Sequence, residues 1–255
     1  MNHKNFIKYG YEKIRYKKKD ADFLRSTIIK LIKTKTKLKK VDLNELHKVY
    51  PVNKLNQLRL YLYNKINKDK KFNNKIYEIF ENEISELVGS ENVQSYISLS
   101  IQYPNDGTSL LTLHSDSSQS DSVFQVNLWI PFVNVKKTKS MFIINPKNSI
   151  DILKKMKNNK NYKIHDANKR YKKKMKWLNL NFGEAIFFSP NCLHGNVVNQ
   201  EMTTRISINL RFKNLYSPYV KNVGNLKNIE NFYKTVNKKL ITSFNLHYPF
   251  NDFAK

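Results

Sequence analysis

Two hydrophobic periods divide this 255-residue chain at about residue 92. Before that point apolar residues recur three or four apart, as in Phe23, Ile28, Ile29 and Ile32, with charged residues between them. This is the spacing of one helix face, and it predicts helices over 20–33, 55–66 and 76–88, the last stopped by Gly89. Beyond residue 92, short β-rich segments alternate with turn clusters: 93–103, 109–116, 123–133, 140–145, 177–182, 185–189, 195–199 and 204–212. Eight such segments with few helical repeats between them predict a mainly β fold with flanking helices, a sandwich or jelly roll. A short helix over 150–156 and a lysine-rich stretch form an insert at 149–176, and another helix is expected at about 228–242. The expected organisation is a helical region, 1–92, packed on a jelly-roll core, 93–213, and followed by a helical tail, 214–255.

The alternation inside the strands carries the first functional signal. In 96–103 one face holds Tyr96, Ser98, Ser100 and Gln102, and the other Ile97, Leu99, Ile101 and Tyr103. In 123–130 Gln125, Asn127 and Trp129 oppose Phe124, Val126, Leu128 and Ile130. In 205–212 Arg205, Ser207, Asn209 and Arg211 oppose Ile206, Ile208, Leu210 and Phe212. Successive side chains leave a strand on opposite faces, so each segment has one aliphatic and one polar side. A sheet with one solvated face would alternate in the same way. These polar faces, however, hold no lysine or glutamate in a chain with 40 lysines. That bias favours the wall of a pocket.

Composition narrows the class. Hydrophobic residues make up 40% and aromatics 13%, enough for a real core. No apolar run approaches the roughly 20 residues of a membrane helix, and the N-terminus lacks the apolar stretch of a secretory signal. A single cysteine, Cys192, excludes an internal disulfide and an all-cysteine zinc site. A cytoplasmic protein is expected. The net charge of +26 favours anionic ligands, but it comes from 40 lysines against 6 arginines spread along the chain, and does not single out nucleic acid.

Three short motifs suggest chemistry. In Leu113-His114-Ser115-Asp116 a period of two puts imidazole and carboxylate on one face, where both reach one metal. A surface histidine beside a turn aspartate is the simpler reading of that pair alone. His194 follows the strand ending at Ser189 and precedes Gly195, which permits close backbone approach. Arg205, with Ser207 two residues on, presents a planar fork suited to a carboxylate, though a structural salt bridge would use it equally. Taken in order, the three make a two-histidine, one-carboxylate triad plus an anion clamp. Such a triad leaves three metal positions open, as in non-heme Fe(II) oxygenases. Two suit a chelating 2-oxo acid and the third dioxygen.

The stretch from about Ser98 to Lys213 resembles the Fe(II)/2-oxoglutarate-dependent dioxygenases, in particular the phytanoyl-CoA-dioxygenase-like branch. The resemblance rests on His114-Ser115-Asp116, on 140–149, on 183–189, and on His194-Gly195-Asn196-Val197-Val198-Asn199 followed by Arg205-Ile206-Ser207. It departs where that branch has a Pro-Gly-Ser-His turn and this chain has Pro146-Lys147-Asn148. More narrowly, the chain is similar to oxygenases found among bacterial carbohydrate-biosynthesis genes. The resemblance implies a cupin-like double-stranded β-helix, with His114, Asp116 and His194 as iron ligands. It implies Arg205 as the 2-oxoglutarate anchor assisted by Ser207. Gln102 and Asn127, by their place on polar strand faces, are candidates for the substrate or cosubstrate wall. Trp129, of the same parity as Asn127, is either a stacking surface for a sugar on that wall or a core residue. The expected cofactors are Fe(II) and 2-oxoglutarate, with O₂ as cosubstrate. The expected substrate is a sugar, phosphorylated or nucleotide-linked, of polysaccharide or glycoconjugate biosynthesis. Hydroxylation is the expected outcome, with desaturation or epimerisation open to the same chemistry. The competing readings are a non-catalytic jelly-roll protein binding metal or sugar, and an oxygenase acting on nucleic acid or an acyl group.

Overall fold

The computed structural model describes residues 1–119, 121–158, 170–217 and 232–247. Its first part runs α1 (His3–Tyr9), β1 (Tyr11–Arg15), α2 (Lys18–Thr36), α3 (Leu46–Val49), α4 (Leu55–Lys68) and α5 (Lys70–Val88). Leu24, Ile28 and Ile32 of α2, and Leu58, Leu62 and Ile66 of α4, recur every four residues and are fully buried. Each such side chain contributes about 1.5–3 kcal/mol by leaving water. Helix α5 starts where the Asp69 carboxylate accepts from the Phe72 amide at 3.0 Å, and Gly89 follows its end at a φ of 90°.

The strands that follow are β2 (Asn92–Ser95), β3 (Ser98–Gln102), β4 (Gln125–Pro131), β5 (Phe142–Ile143), β6 (Lys176–Trp177), β7 (Glu184–Phe188), β8 (His194–Gly195), β9 (Arg205–Asn214) and β10 (Tyr233–Asn237). Helix α6 (Pro146–Asn158) separates β5 from β6, and α7 (Leu240–His247) follows β10. Every pairing is antiparallel. A seven-stranded sheet has the order β1-β7-β4-β9-β2-β10, with β3 also on β9, and a three-stranded sheet has the order β6-β5-β8. On one face of the large sheet Leu128 lies opposite both Leu210 and Phe187. Helix α5 covers that side, with Phe80 edge-on to Phe187 at 5.7 Å. On the other face Asn127 lies opposite Arg211, Trp129 opposite Asn209, and Ser100 opposite Ser207.

Several elements differ from expectation. The helical first region contributes a strand, β1, because Tyr11–Arg15 finds an open edge on β7. The tail helix expected at 228–242 is instead strand β10 followed by α7, since Tyr233–Asn237 pairs with the free edge of β2; residues 228–231 lie outside the described residues. Residues 109–116 form no strand. They run beside Asn196, whose side chain accepts from the Leu111 amide at 2.7 Å and donates to the Ser109 carbonyl at 3.0 Å. The basic insert begins with α6, longer than the predicted helix, and residues 159–169 within it lie outside the described residues. Among the described residues no helix is long and apolar enough to cross a membrane.

Candidate metal centre

His114 and His194 lie 80 positions apart and meet through backbone pairing. The amide of each donates to the carbonyl of the other, at 3.0 Å from His114 and 2.8 Å from His194. The pairing brings their rings to 4.3 Å between centroids. Gly195 makes this approach possible, because a Cβ there would sit 2.7 Å from the Leu111 carbonyl oxygen. Gly195→Ala should therefore push the 111–114 segment away and destabilise the fold by about 1–3 kcal/mol, the usual cost of overpacking. Denaturant unfolding and metal titration of that variant check this; an unchanged pair of curves would refute the steric role.

Each imidazole is held by the carbonyl two residues before it. Nδ1 of His114 lies 2.7 Å from the Thr112 oxygen, and Nδ1 of His194 lies 2.9 Å from the Cys192 oxygen. A carbonyl only accepts, so both Nδ1 atoms carry the proton and both Nε2 lone pairs are free for a metal. The free atoms converge on Asp116, whose Oδ1 is 3.5 Å from Nε2 of His114 and 3.8 Å from Nε2 of His194. One ligand atom from each of the three residues lies within 4.8 Å of the others. Two neutral imidazoles and one carboxylate form a donor set suited to a divalent first-row metal.

Asp116 is fixed from behind. Asn127 on β4 donates a short hydrogen bond to its Oδ2, and Arg211 on β9 donates to its Oδ1 at 3.3 Å. Arg211 also pairs with Asp121 at 2.8 Å. Gln125 extends the chain by donating to Asp121 at 3.2 Å, while accepting from the Tyr233 hydroxyl of β10. Burial alone would raise the Asp116 carboxyl. In the metal-free protein a hydrogen bond from protonated His114, the charges of protonated His194 and of Arg211, and the Asn127 amide outweigh it and hold the group well below the usual carboxylate range.

Burial pushes His194 down to about 4, against the pull of Asp116. The metal-free protein should accordingly lose stability on acidification. A folded value below the unfolded one means that the His194 contribution is complete above about pH 6.5 and is withdrawn as pH falls toward about 4. The full swing is on the order of 3 kcal/mol. His114 works in the opposite sense, since the Asp116 bond and the Thr112 carbonyl overcome burial and raise it. Its contribution is lost as pH rises. Denaturant unfolding at stepped pH should show the acid-side decline, and His194→Gln should flatten it. A decline that survives that substitution assigns the effect to other groups.

The triad opens into a cavity of about 470 Å³. Arg205, Ser207, Asn209 and Arg211, successive residues of one face of β9, line it with Trp129, Phe188 and both histidines. Arg205 is buried, and its Nη2 donates to Ser100 Oγ at 3.0 Å. Among the described residues its Nε has no partner and no carboxylate pairs with it. Burial lowers its pKa to about 10, which leaves it charged. The structural salt bridge that the sequence left open for this arginine is absent among the described residues.

Other predicted positions separate. Trp129 lines the cavity, but Gln102 does not: its amide donates to the Val197 carbonyl at 2.7 Å. Asn127 lies behind Asp116 and positions that carboxylate instead of forming the wall. Cys192 is buried against Gly10, and burial pushes its thiol up to about 12, a neutral packing group. Sequence reading missed the positioning role of Arg211, and the contribution of Asn56 and Arg59 from α4 to the cavity. The polar parity of β9 pointed to Arg211; nothing local pointed to α4.

No protein-family model matches the chain, and no curated protein does. Solved structures do match in shape. The apo form of ThoJ, described as a non-heme monooxygenase, aligns at a TM-score of 0.59 with 11% identity, covering 92% of this chain and 83% of that one. EctD from S. alaskensis with bound Fe aligns at 0.55 with 14% identity over 90% of this chain and 81% of its own. HygX from Streptomyces hygroscopicus, with nickel and 2-oxoglutarate bound, aligns at 0.54 with 9% identity over 89% and 94%. The chain shares its fold, antiparallel sheet with flanking helices, with non-heme oxygenases of known structure.

Proposed function

We propose that this protein is a non-heme Fe(II)- and 2-oxoglutarate-dependent oxygenase, built on a double-stranded β-helix of the phytanoyl-CoA-dioxygenase-like branch. His114, Asp116 and His194 hold the iron, and Arg205 with Ser207 holds the remote carboxylate of 2-oxoglutarate. Together those groups supply the oxidation of an unactivated C–H bond by O₂, coupled to decarboxylation of the 2-oxo acid to succinate. The protein's own residues supply position. The Thr112 and Cys192 carbonyls hold the Nδ1 protons and so aim both Nε2 atoms at the metal, and Asn127 and Arg211 hold the Asp116 carboxylate. Ser100 orients the Arg205 fork.

The observation that carries this reading is Arg205: a buried cation with no described counter-ion, opening into the cavity that holds the triad. A buried charge is costly without a partner, so the site is built to receive an anion. A protein that only binds metal has no use for it. The serine and asparagine groups on the cavity wall support a hydroxyl-bearing substrate, such as a cytoplasmic sugar of polysaccharide or glycoconjugate biosynthesis, over an acyl chain. The phosphate that the sequence suggested for that sugar gains no support from the wall, where no described lysine lies. Anaerobic titration with Fe(II) and then 2-oxoglutarate tests the proposal through the weak visible charge-transfer band of the chelate. Metal binding with no such band and no succinate formation would favour the non-catalytic metal-binding alternative.

A further inference from the structure

We infer that the primary substrate is an uncharged, hydroxyl-bearing molecule with an apolar edge. This rests on the oxygenase reading, because it takes a divalent metal on the triad and 2-oxoglutarate on Arg205 as given. The argument is a balance of charge. Three of the chain's 6 arginines line the cavity, and no described residue among its 40 lysines does. Arg59 is matched by Asp106 at 3.4 Å, and it also donates to the Ile101 carbonyl at 2.6 Å. Arg211 is matched by Asp121 at 2.8 Å. Asp116 offsets one of the two charges on a divalent metal, and the histidines, with their Nε2 lone pairs committed to it, are neutral. One positive charge remains at the metal and one at Arg205.

2-Oxoglutarate is a dianion with one carboxylate for each of those charges. Once it binds, the cavity is electrically neutral. A phosphate or a further carboxylate would then enter a largely buried space with every cation already matched, an arrangement that desolvation penalises heavily. The rest of the wall suits a different ligand. Leu110 and Leu111 stand at the mouth, 42% and 57% exposed, and Met141 and Trp129 continue the apolar surface inward. Among the described residues the buried Asn209 side-chain oxygen has no partner, an acceptor placed for a hydroxyl. The chain's large positive charge therefore lies outside the cavity and does not select the substrate.

The test is calorimetry under anaerobic conditions on the full chain loaded with Ni(II) and saturated with 2-oxoglutarate. The probes are phenyl β-D-glucoside and its 6-phosphate, which differ only in the charged group. The uncharged glucoside is expected to bind at least about tenfold more tightly. Without 2-oxoglutarate, with Arg205 free, the phosphate should gain affinity, and 2-oxoglutarate should displace it. Leu111→Lys, a change at an exposed side chain, should narrow the gap between the probes by placing a cation at the mouth. Equal or tighter binding of the phosphate with 2-oxoglutarate present, or no binding of the uncharged probe, overturns the inference. Failure of the Ni(II)-loaded protein to bind 2-oxoglutarate before any probe is added overturns the oxygenase reading instead.

Discussion

Asp116→Ala is expected to abolish stoichiometric Fe(II) binding, and succinate formation with it. The substitution removes the only anionic donor of the triad and leaves two imidazoles to hold a dication. The loss should exceed the roughly 10–100-fold that changes behind a metal ligand cost, and Asn127→Ala, which acts from behind, should fall within that range. The contrast between the two variants is the sharper measurement, because it separates a ligand from the residue that positions it. The fold should survive Asp116→Ala. Arg211 keeps Asp121 as its ion-pair partner at 2.8 Å, so the substitution does not strand a buried cation. Far-ultraviolet circular dichroism checks the fold, and titration with Fe(II) or Ni(II) checks the site. Undiminished metal binding by a folded Asp116→Ala protein would remove the metal centre from its proposed place.

Arg205→Lys should weaken 2-oxoglutarate binding by about 1.5–3 kcal/mol, the scale of a charged hydrogen bond, while metal affinity stays put. The charge is kept; the planar fork that spans both oxygens of a carboxylate is not. The lysine would also lack a counterpart to the Nη2 that now donates to Ser100 at 3.0 Å. Ser100→Ala in the wild-type background should reproduce a smaller part of the same loss, since it frees the guanidinium to turn. Both effects are read as shifts in the 2-oxoglutarate titration of the metal-loaded protein. A collapse of metal binding with cosubstrate affinity intact would make Arg205 a structural cation.

Much of this arrangement was legible in the chain because it is local. The polar parity Arg205, Ser207, Asn209, Arg211 on β9 follows from the two-residue period of a strand, and register then sets it against Ser100, Trp129 and Asn127. The buried helix faces are equally local: of the apolar positions read from spacing on α2, Ile28 and Ile32 are fully buried, while Phe23 and Ile29 are partly buried beside Leu24. What failed was the state of short segments whose fate rests on a partner. Tyr11–Arg15 and Tyr233–Asn237 carry weak signals of their own, and became strands because β7 and β2 offered unpaired edges. Residues 109–116, with a stronger β pattern, gave only a bridge at His114, since the Asn196 side chain takes up their backbone groups.

The sequence by itself determined which side chains share a face, and that Arg205 and two of the histidines sit in motifs able to hold an anion and a metal. Periodicity and residue chemistry depend on neighbours in the chain, so they can be read without a fold. Tertiary structure decided which of these groups meet. It paired His114 with His194, moved Asn127 and Gln102 off the cavity wall, and brought Arg59 in from a helix. It also decided charge state and partnership: Arg211 acquired two carboxylates, and Arg205 acquired none among the described residues. Those outcomes depend on burial and on contacts between residues far apart in the chain, which no local pattern encodes.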